Sequence, residues 1–222
     1  MAVAARRPSA PPLRKLLRHD RSLGTRFVAG TDEAGRGALA GPLVAAGVLL
    51  EPDALTRRAR KALTYLDDSK RLTPRMREEL LPHVLAVARR VTVVSVPVPS
   101  IDDGGVHRAN LAALARALGT LEAPDGTPHL VDGFRLPGLA REHTAIVDGD
   151  EKSAAIAAAS IVAKVMRDRT MAALGLVHPV YGFAQHAGYG TPAHLAALRV
   201  HGPCEAHRRS FAPCAQLELL TI

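Results

Sequence analysis

A mixed α/β sheet flanked by helices is the fold class that the sequence predicts, and two observations predict it. Three segments of strand character, residues 27–29, 43–50 and 91–98, come early and are joined by short links, which suggests an antiparallel start. In the second half strand and helix alternate, the pattern of parallel crossovers.

Each element has a local reason. Phe27, Val28 and Ala29 form a buried strand that runs into Thr31-Asp32-Glu33-Ala34-Gly35-Arg36-Gly37, and Gly41-Pro42 breaks the chain before the second strand at 43–50. Residues 54–63 are helical and lead to the polar loop Asp67-Asp68-Ser69-Lys70-Arg71-Leu72. Thr73 is the N-cap of the next helix, with Pro74 at its first position and Met76, Leu80, Val84 and Leu85 on one face. Pro82 is expected to disturb that helix near its middle. Val91, Val93, Val94, Val96 and Val98 make the third strand, which Ile101-Asp102-Asp103-Gly104-Gly105 ends. An Ala/Leu helix over 106–118 follows, then a turn at 124–127, a short strand His129-Leu130-Val131-Asp132-Gly133, and a fifth strand at 144–147 ending in Asp148-Gly149-Asp150. A long helix runs from about Ser153 to Leu174, and its run of alanines lets it lie close on the sheet.

The 222 residues carry a formal charge of +8 and a pI near 10.2, which points to a polyanionic partner. Arginine supplies 24 of the 29 basic residues, a composition suited to forked recognition of phosphate and equally to an Arg-rich genome bias. Two cysteines make no disulfide framework, and no secretory segment or membrane-length apolar run is present, so a soluble cytoplasmic protein is expected. Residues 1–22 are read as a flexible basic arm with a short helix after Pro12, in preference to a transit peptide.

Three separate strands end in acid. Asp32 and Glu33 close the first, Asp132 closes the fourth, and Asp150 lies just past the fifth. Neighbouring strand ends of an α/β sheet gather at one edge, where ligands bind. Four carboxylates there destabilise one another unless a cation neutralises them, and an all-oxygen set favours Mg²⁺ or Mn²⁺ over zinc. Two such ions are the usual device for attack on a phosphodiester. Any one of these acids alone is adequately explained as a turn or helix cap, Asp150 being a credible N-cap.

The stretches Gly30-Thr31-Asp32-Glu33-Ala34-Gly35-Arg36-Gly37, Leu39-Ala40-Gly41-Pro42, Asp68-Ser69-Lys70-Arg71-Leu72 and Val131-Asp132-Gly133 resemble ribonuclease HII. So do Gly149-Asp150, the run from Ala157 to Asp168, Tyr181-Gly182-Phe183, Gly188-Tyr189-Gly190-Thr191, and His201-Gly202-Pro203 with His207-Arg208-Arg209-Ser210-Phe211. The resemblance covers residues 27–213. It implies a ribonuclease H-like five-stranded sheet, with the first three strands antiparallel and the rest parallel, and a helical C-terminal extension. It divides the chain into the arm at 1–22, a catalytic domain at 23–175, and a segment at 176–222 that packs on the same domain and completes the substrate site.

The implied activity is cleavage of the RNA strand of RNA/DNA hybrids and nicking 5′ of ribonucleotides embedded in duplex DNA. The ends left are 5′-phosphate and 3′-hydroxyl, a reaction that belongs to ribonucleotide excision repair. By the same resemblance Asp32, Glu33, Asp132 and Asp150 are the catalytic metal ligands for two Mn²⁺ or Mg²⁺ ions. Gly35-Arg36-Gly37 senses the 2′-hydroxyl, the group that marks a ribose, and Tyr189 stacks on the sugar of the following deoxynucleotide. Lys70, Arg71, Lys164, Arg208 and Arg209 are candidate phosphate contacts, as are Ser69 and Ser210. The family precedent is a monomer, and a replication or repair partner is a further expectation.

Ala38 stands where the family usually has proline, Gly105 where Asn is frequent, and Ala187 where Lys is common. His201, Cys204, His207 and Cys214 form a competing zinc constellation, against which stands a last gap that is not a common zinc spacing. A non-catalytic hybrid-binding protein needs no acid cluster, and a strand-transfer nuclease on a similar sheet is not expected to pair Gly-Arg-Gly with Tyr189. Because neighbours in an extended strand face opposite ways, Asp32 and Glu33 are expected to share one site through a turn of the chain there.

Overall fold

The computed structural model describes residues 12–66 and 69–219, so Asp67 and Asp68 lie outside the described residues. In chain order the elements are α1 (Pro12–Ser22), β1 (Val28–Ala34), β2 (Leu43–Leu50), α2 (Arg57–Ala62), α3 (Pro74–Val87), β3 (Arg90–Val96), α4 (Val98–Gly104) and α5 (Val106–Gly119). They continue with β4 (His129–Asp132), β5 (Thr144–Ile146), α6 (Ala154–Val177), α7 (Phe183–His186), α8 (Pro192–His201) and α9 (Ala212–Leu219). The strands form one sheet in the order β3-β2-β1-β4-β5. β1 pairs with β2 and β2 with β3 antiparallel, and β1 with β4 and β4 with β5 parallel, as the sequence pattern predicts.

Two apolar layers sandwich this sheet. Val28, Ala46, Val48, Leu50 and Leu130 join α1, α3 and α6 on one face, and Ala29, Leu43, Ala45, Leu49 and Val131 join α5 on the other. The alanines of α6 allow its close approach to β1. A Cβ placed on Gly30 would lie 2.4 Å from the backbone of Ala155 and Ile156, so neither side has room for a larger residue.

Residues 1–11 of the expected arm lie outside the described residues, and the short helix expected after Pro12 is α1, which is docked on the domain. Leu13, Leu16 and Leu17 are buried, in the i, i+3, i+4 pattern of an amphipathic helix. Their burial is worth about 1.5–3 kcal/mol per side chain, enough to dock α1. The buried Asp20 carboxylate accepts the Ala155 N–H at 3.0 Å, tying α1 to the first turn of α6.

Other boundaries also move. β3 stops at Val96, and Val98 opens α4 with Pro99 in its first turn, where a missing N–H is harmless. The helix α3 runs through Pro82. Ser153, and not Asp150, caps α6, its Oγ accepting the Ile156 N–H at 3.3 Å, while Asp150 sits in a 3₁₀ turn.

Candidate active site

Parallel pairing puts Thr31 beside Val131, so Asp32 and Asp132 follow at adjacent strand ends, and the 3₁₀ turn at Gly149–Glu151 carries Asp150 to the same edge. Asp32 and Glu33 both lie within β1, before the chain turns at Gly35. They therefore straddle the sheet, and no turn aligns them: Asp32 shares the α6 face with Gly30, and Glu33 points toward the α5 face. Each meets a polar side chain from its own flanking helix, Ser160 of α6 for Asp32 and the buried Asn110 of α5 for Glu33. Neither Ser160 nor Asn110 was foreseen as a site residue, because both sit inside apolar helical patterns.

The cluster is electrostatically strained. Burial, then the charges of Glu33, Asp132 and Asp150, hold the Asp32 carboxyl well above the usual carboxylate range, with Ser160 opposing. Burial and Asp132 raise Glu33 as well, against the pull of Arg36, Asn110 and Lys70. One oxygen of each of two aspartates is held by backbone: Asp32 Oδ1 accepts its neighbour's Glu33 N–H at 2.7 Å, and Asp132 Oδ1 accepts the Gly149 N–H at 2.7 Å. Glu33 Oε2 is buried without a hydrogen-bond partner among the described residues. Among those residues no three His, Cys, Asp or Glu side chains stand in ready-made metal-binding geometry. A buried all-carboxylate set with an unsatisfied oxygen nonetheless fits a hard divalent cation, which would supply the missing positive charge.

Two buried arginines, each bonded to backbone carbonyls, build the wall next to the acids. Arg167 donates to the carbonyls of Pro42 (2.9 Å), Ala40 (3.0 Å) and Ala187 (2.9 Å). Arg208 donates twice to Gly41 O, at 3.1 and 2.9 Å, and to Arg36 O at 3.0 Å. Burial lowers its guanidinium to about 10, which still leaves it charged at neutral pH. Together they fix the Gly35-Arg36-Gly37 turn against the C-terminal segment. Gly35 has φ +90°, while Arg36 and Gly37 are exposed and the Arg36 guanidinium lies over Phe134 at 4.6 Å. Ala38, in place of proline, donates its N–H to Gly35 O at 3.3 Å, a bond proline cannot make.

Tyr189 stands at the rim, 36 % exposed, with Arg167 and Lys164 at 5.3 and 5.9 Å from its ring centre. Its loop is stitched to the glycine turn, since Leu39 N–H donates to Gly188 O at 2.8 Å. Lys164 is partly buried and pairs with Asp168, and Lys70 is exposed near Glu33.

The expected phosphate contacts fare unevenly. Arg208 is fully buried and spent on carbonyls, so it is a structural clamp. Ser69 is buried, its Oγ bonded to Ser160 at 2.8 Å, and Ser210 donates to Asp102. Arg71 pairs with Glu151 at 2.7 Å, and Arg209 is exposed with its backbone N–H on Asp102. The zinc constellation does not assemble: His201 is exposed, and Cys214 packs with Leu39 and Leu198 in a cluster separate from Cys204.

His207 makes acid stability measurable. Burial, and then the neighbouring His194, push it down to about 4, with His178 and His186 adding to the effect. The unfolded chain binds its proton near pH 6.5, so the contribution is complete above that pH and is lost as pH falls toward 4, by up to about 3 kcal/mol. The raised Asp32 has the opposite slope, so the test is a difference. Urea unfolding between pH 6.5 and 4.5 should be less steeply pH-dependent in His207→Gln than in the wild type, and equal slopes would contradict the assignment.

Sheet order and an acid-lined edge define a protein of the ribonuclease H-like class. The family described as ribonuclease HII matches residues 29–214. A ribonuclease HII of Rhodococcus opacus (strain B4) is 52 % identical over 190 residues, covering 86 % of this chain and 81 % of that one. Among solved structures, the ribonuclease H2 of Pyrococcus horikoshii OT3 superposes with a TM-score of 0.73 at 27 % identity, over 87 % of this chain and 98 % of that one. The ribonuclease HII of Archaeoglobus fulgidus, solved as a complex with PCNA, gives 0.66 at 29 % identity over 82 % and 92 %. The chain belongs to the ribonuclease HII family and is an endoribonuclease.

Proposed function

We propose that this enzyme hydrolyses the RNA strand of RNA/DNA hybrids and nicks duplex DNA 5′ of an embedded ribonucleotide, leaving 5′-phosphate and 3′-hydroxyl ends. The observation that carries the reading is the buried acid cluster beside a glycine turn whose Arg36 and Gly37 are exposed. Asp32, Glu33, Asp132 and Asp150 hold two divalent cations, Mg²⁺ or Mn²⁺. When bound, such ions activate water as a nucleophile and stabilise charge on the leaving 3′-oxygen.

The chain's own residues do the rest. Asp32 and Glu33, approaching from opposite faces of one strand, bracket the scissile phosphate. Gly35, Arg36 and Gly37 read the 2′-hydroxyl through backbone N–H and C=O groups, which glycine allows to approach the sugar closely. Tyr189 stacks on the next sugar and so reads the RNA-to-DNA junction. Lys70 and Lys164 contact flanking phosphates, and the basic surface draws the duplex in.

Incubating a duplex that contains one ribonucleotide with Mg²⁺ or Mn²⁺ tests this. A nick 5′ of the ribonucleotide is expected, and an intact strand would falsify the proposal. Tyr189→Ala should lower the preference for the single-ribonucleotide substrate over a uniform hybrid by about tenfold, since stacking is worth about 1–3 kcal/mol per base. An unchanged ratio removes Tyr189 from the substrate site.

The same reading makes the enzyme a cytoplasmic monomer that works with a replication or repair partner, as the Archaeoglobus relative is solved with PCNA. Among the described residues no helix is long and apolar enough to cross a membrane.

A further inference from the structure

Behind the Tyr189 loop lies a buried row of imidazoles that the acid cluster does not use. His194 Nδ1 is 2.9 Å from Tyr189 O, His194 Nε2 is 3.0 Å from His207 Nε2, and His207 Nδ1 is 3.0 Å from Cys204 N. His194 and His207 are 0 % and 1 % exposed. Only one set of tautomers satisfies every contact. A carbonyl only accepts, so His194 carries its proton on Nδ1 and donates to Tyr189 O. Its Nε2 is then an acceptor, His207 must donate from Nε2, and His207 Nδ1 must accept, which it does from the Cys204 N–H.

Three features keep the row neutral and rigid. Burial lowers the pKa of both histidines, and the charge of His186 adds to this at His194 as that of His194 does at His207. His194 stacks on His186 at 4.5 Å, and Tyr181 lies edge-on to His207 at 4.7 Å. His186 is itself tied down, donating from Nε2 to Tyr181 O at 2.7 Å and accepting the Gly188 N–H at 3.2 Å. Two consecutive residues of the loop, Gly188 and Tyr189, therefore each hang from an imidazole.

We infer that the chain Cys204–His207–His194 is a one-way hydrogen-bond relay that sets the height and tilt of Tyr189, making His194 and His207 positioning residues for recognition of the RNA-to-DNA junction. The role rests on the sugar contact proposed for Tyr189. The Tyr189 carbonyl, which also accepts the Thr191 N–H at 2.8 Å, is an anchor next to an exposed ring, so a displaced carbonyl tilts the ring without disturbing the acids. Arg167 holds the preceding Ala187 carbonyl separately, which confines the effect to Tyr189.

The test pairs a donor-deleting variant with a donor-keeping one. His194→Phe keeps the ring volume but removes the Nδ1 donor, whereas His194→Asn keeps an N–H near the Nδ1 position. The ratio of kcat/KM on the single-ribonucleotide duplex to that on a uniform RNA/DNA hybrid is expected to fall about tenfold in His194→Phe, mostly through KM on the first substrate. It should return to within about threefold of the wild type in His194→Asn. Equal losses on both substrates, or an unchanged ratio, overturn the inference. Imidazole ¹⁵N spectra of the wild type read the relay without any variant: His194 should be the Nδ1–H tautomer and His207 the Nε2–H tautomer at pH 7. The reverse tautomers, or a charged ring, would also overturn it. Wild-type enzyme that cuts neither substrate defeats the functional reading and with it the role of the relay, an outcome distinct from active enzyme with an insensitive ratio.

Discussion

Asp132→Asn is expected to abolish hydrolysis while leaving duplex binding largely intact. The amide oxygen can still accept the Gly149 N–H that now holds Asp132 Oδ1, so the strand end keeps its geometry. What disappears is one negative charge from the four carboxylates proposed to hold the cations. Loss of an outer partner of a metal ligand costs about 10–100-fold, and loss of the ligand's charge should cost more. The same change should stabilise the metal-free protein, because Asp32 and Glu33 are both raised by the charge of Asp132. Relief of about 1 kcal/mol corresponds to a Tm increase of about 2–4 °C. Melting in EDTA and cleavage in Mg²⁺ or Mn²⁺ check both halves. An active or a less stable variant would show that Asp132 does not belong to the cluster.

Gly35→Ala should lose both stability and activity. Gly35 has φ +90°, and a Cβ there would lie 1.9 Å from Arg167 Nε. That guanidinium cannot swing away without releasing the carbonyls of Pro42, Ala40 and Ala187, each worth about 1–3 kcal/mol when left unsatisfied in the interior. With backbone strain of about 1–2 kcal/mol added, a loss of at least about 4 kcal/mol and a Tm lower by roughly 10 °C are expected. Gly37→Ala is the control, since a Cβ there meets nothing within 4 Å. It should melt near the wild-type temperature. If the two variants melt alike, Arg167 is not packed under the turn.

Much of the scaffold was legible in the chain because its signals are local. An apolar run marked β2 and a β-branched run β3, Thr73 with Pro74 marked the start of α3, and the alanine run marked the part of α6 that meets the sheet. Legibility failed where a local pattern has two solutions. The short helix expected after Pro12 looked solvated because of its basic residues, yet Leu13, Leu16 and Leu17 share one of its faces and bury it. Arg208 looked like a phosphate ligand by charge alone, and only the carbonyls of Arg36 and Gly41, far away in sequence, make it a clamp.

By itself the sequence determined the five strands and their order, the helices α1, α2, α3, α5 and α6, the family, and the four acids that end three strands. These depend on periodicity and residue chemistry, which a linear chain displays. The tertiary structure alone decided that Asp32 and Glu33 straddle β1, and that Asn110 and Ser160 meet them from opposite helices. It also decided that Arg167, Arg208, His194 and His207 support the glycine turn and Tyr189 from behind. Such partners are joined by burial and hydrogen bonds between distant segments, and a buried polar group is recognised only once its donors and acceptors are counted in three dimensions.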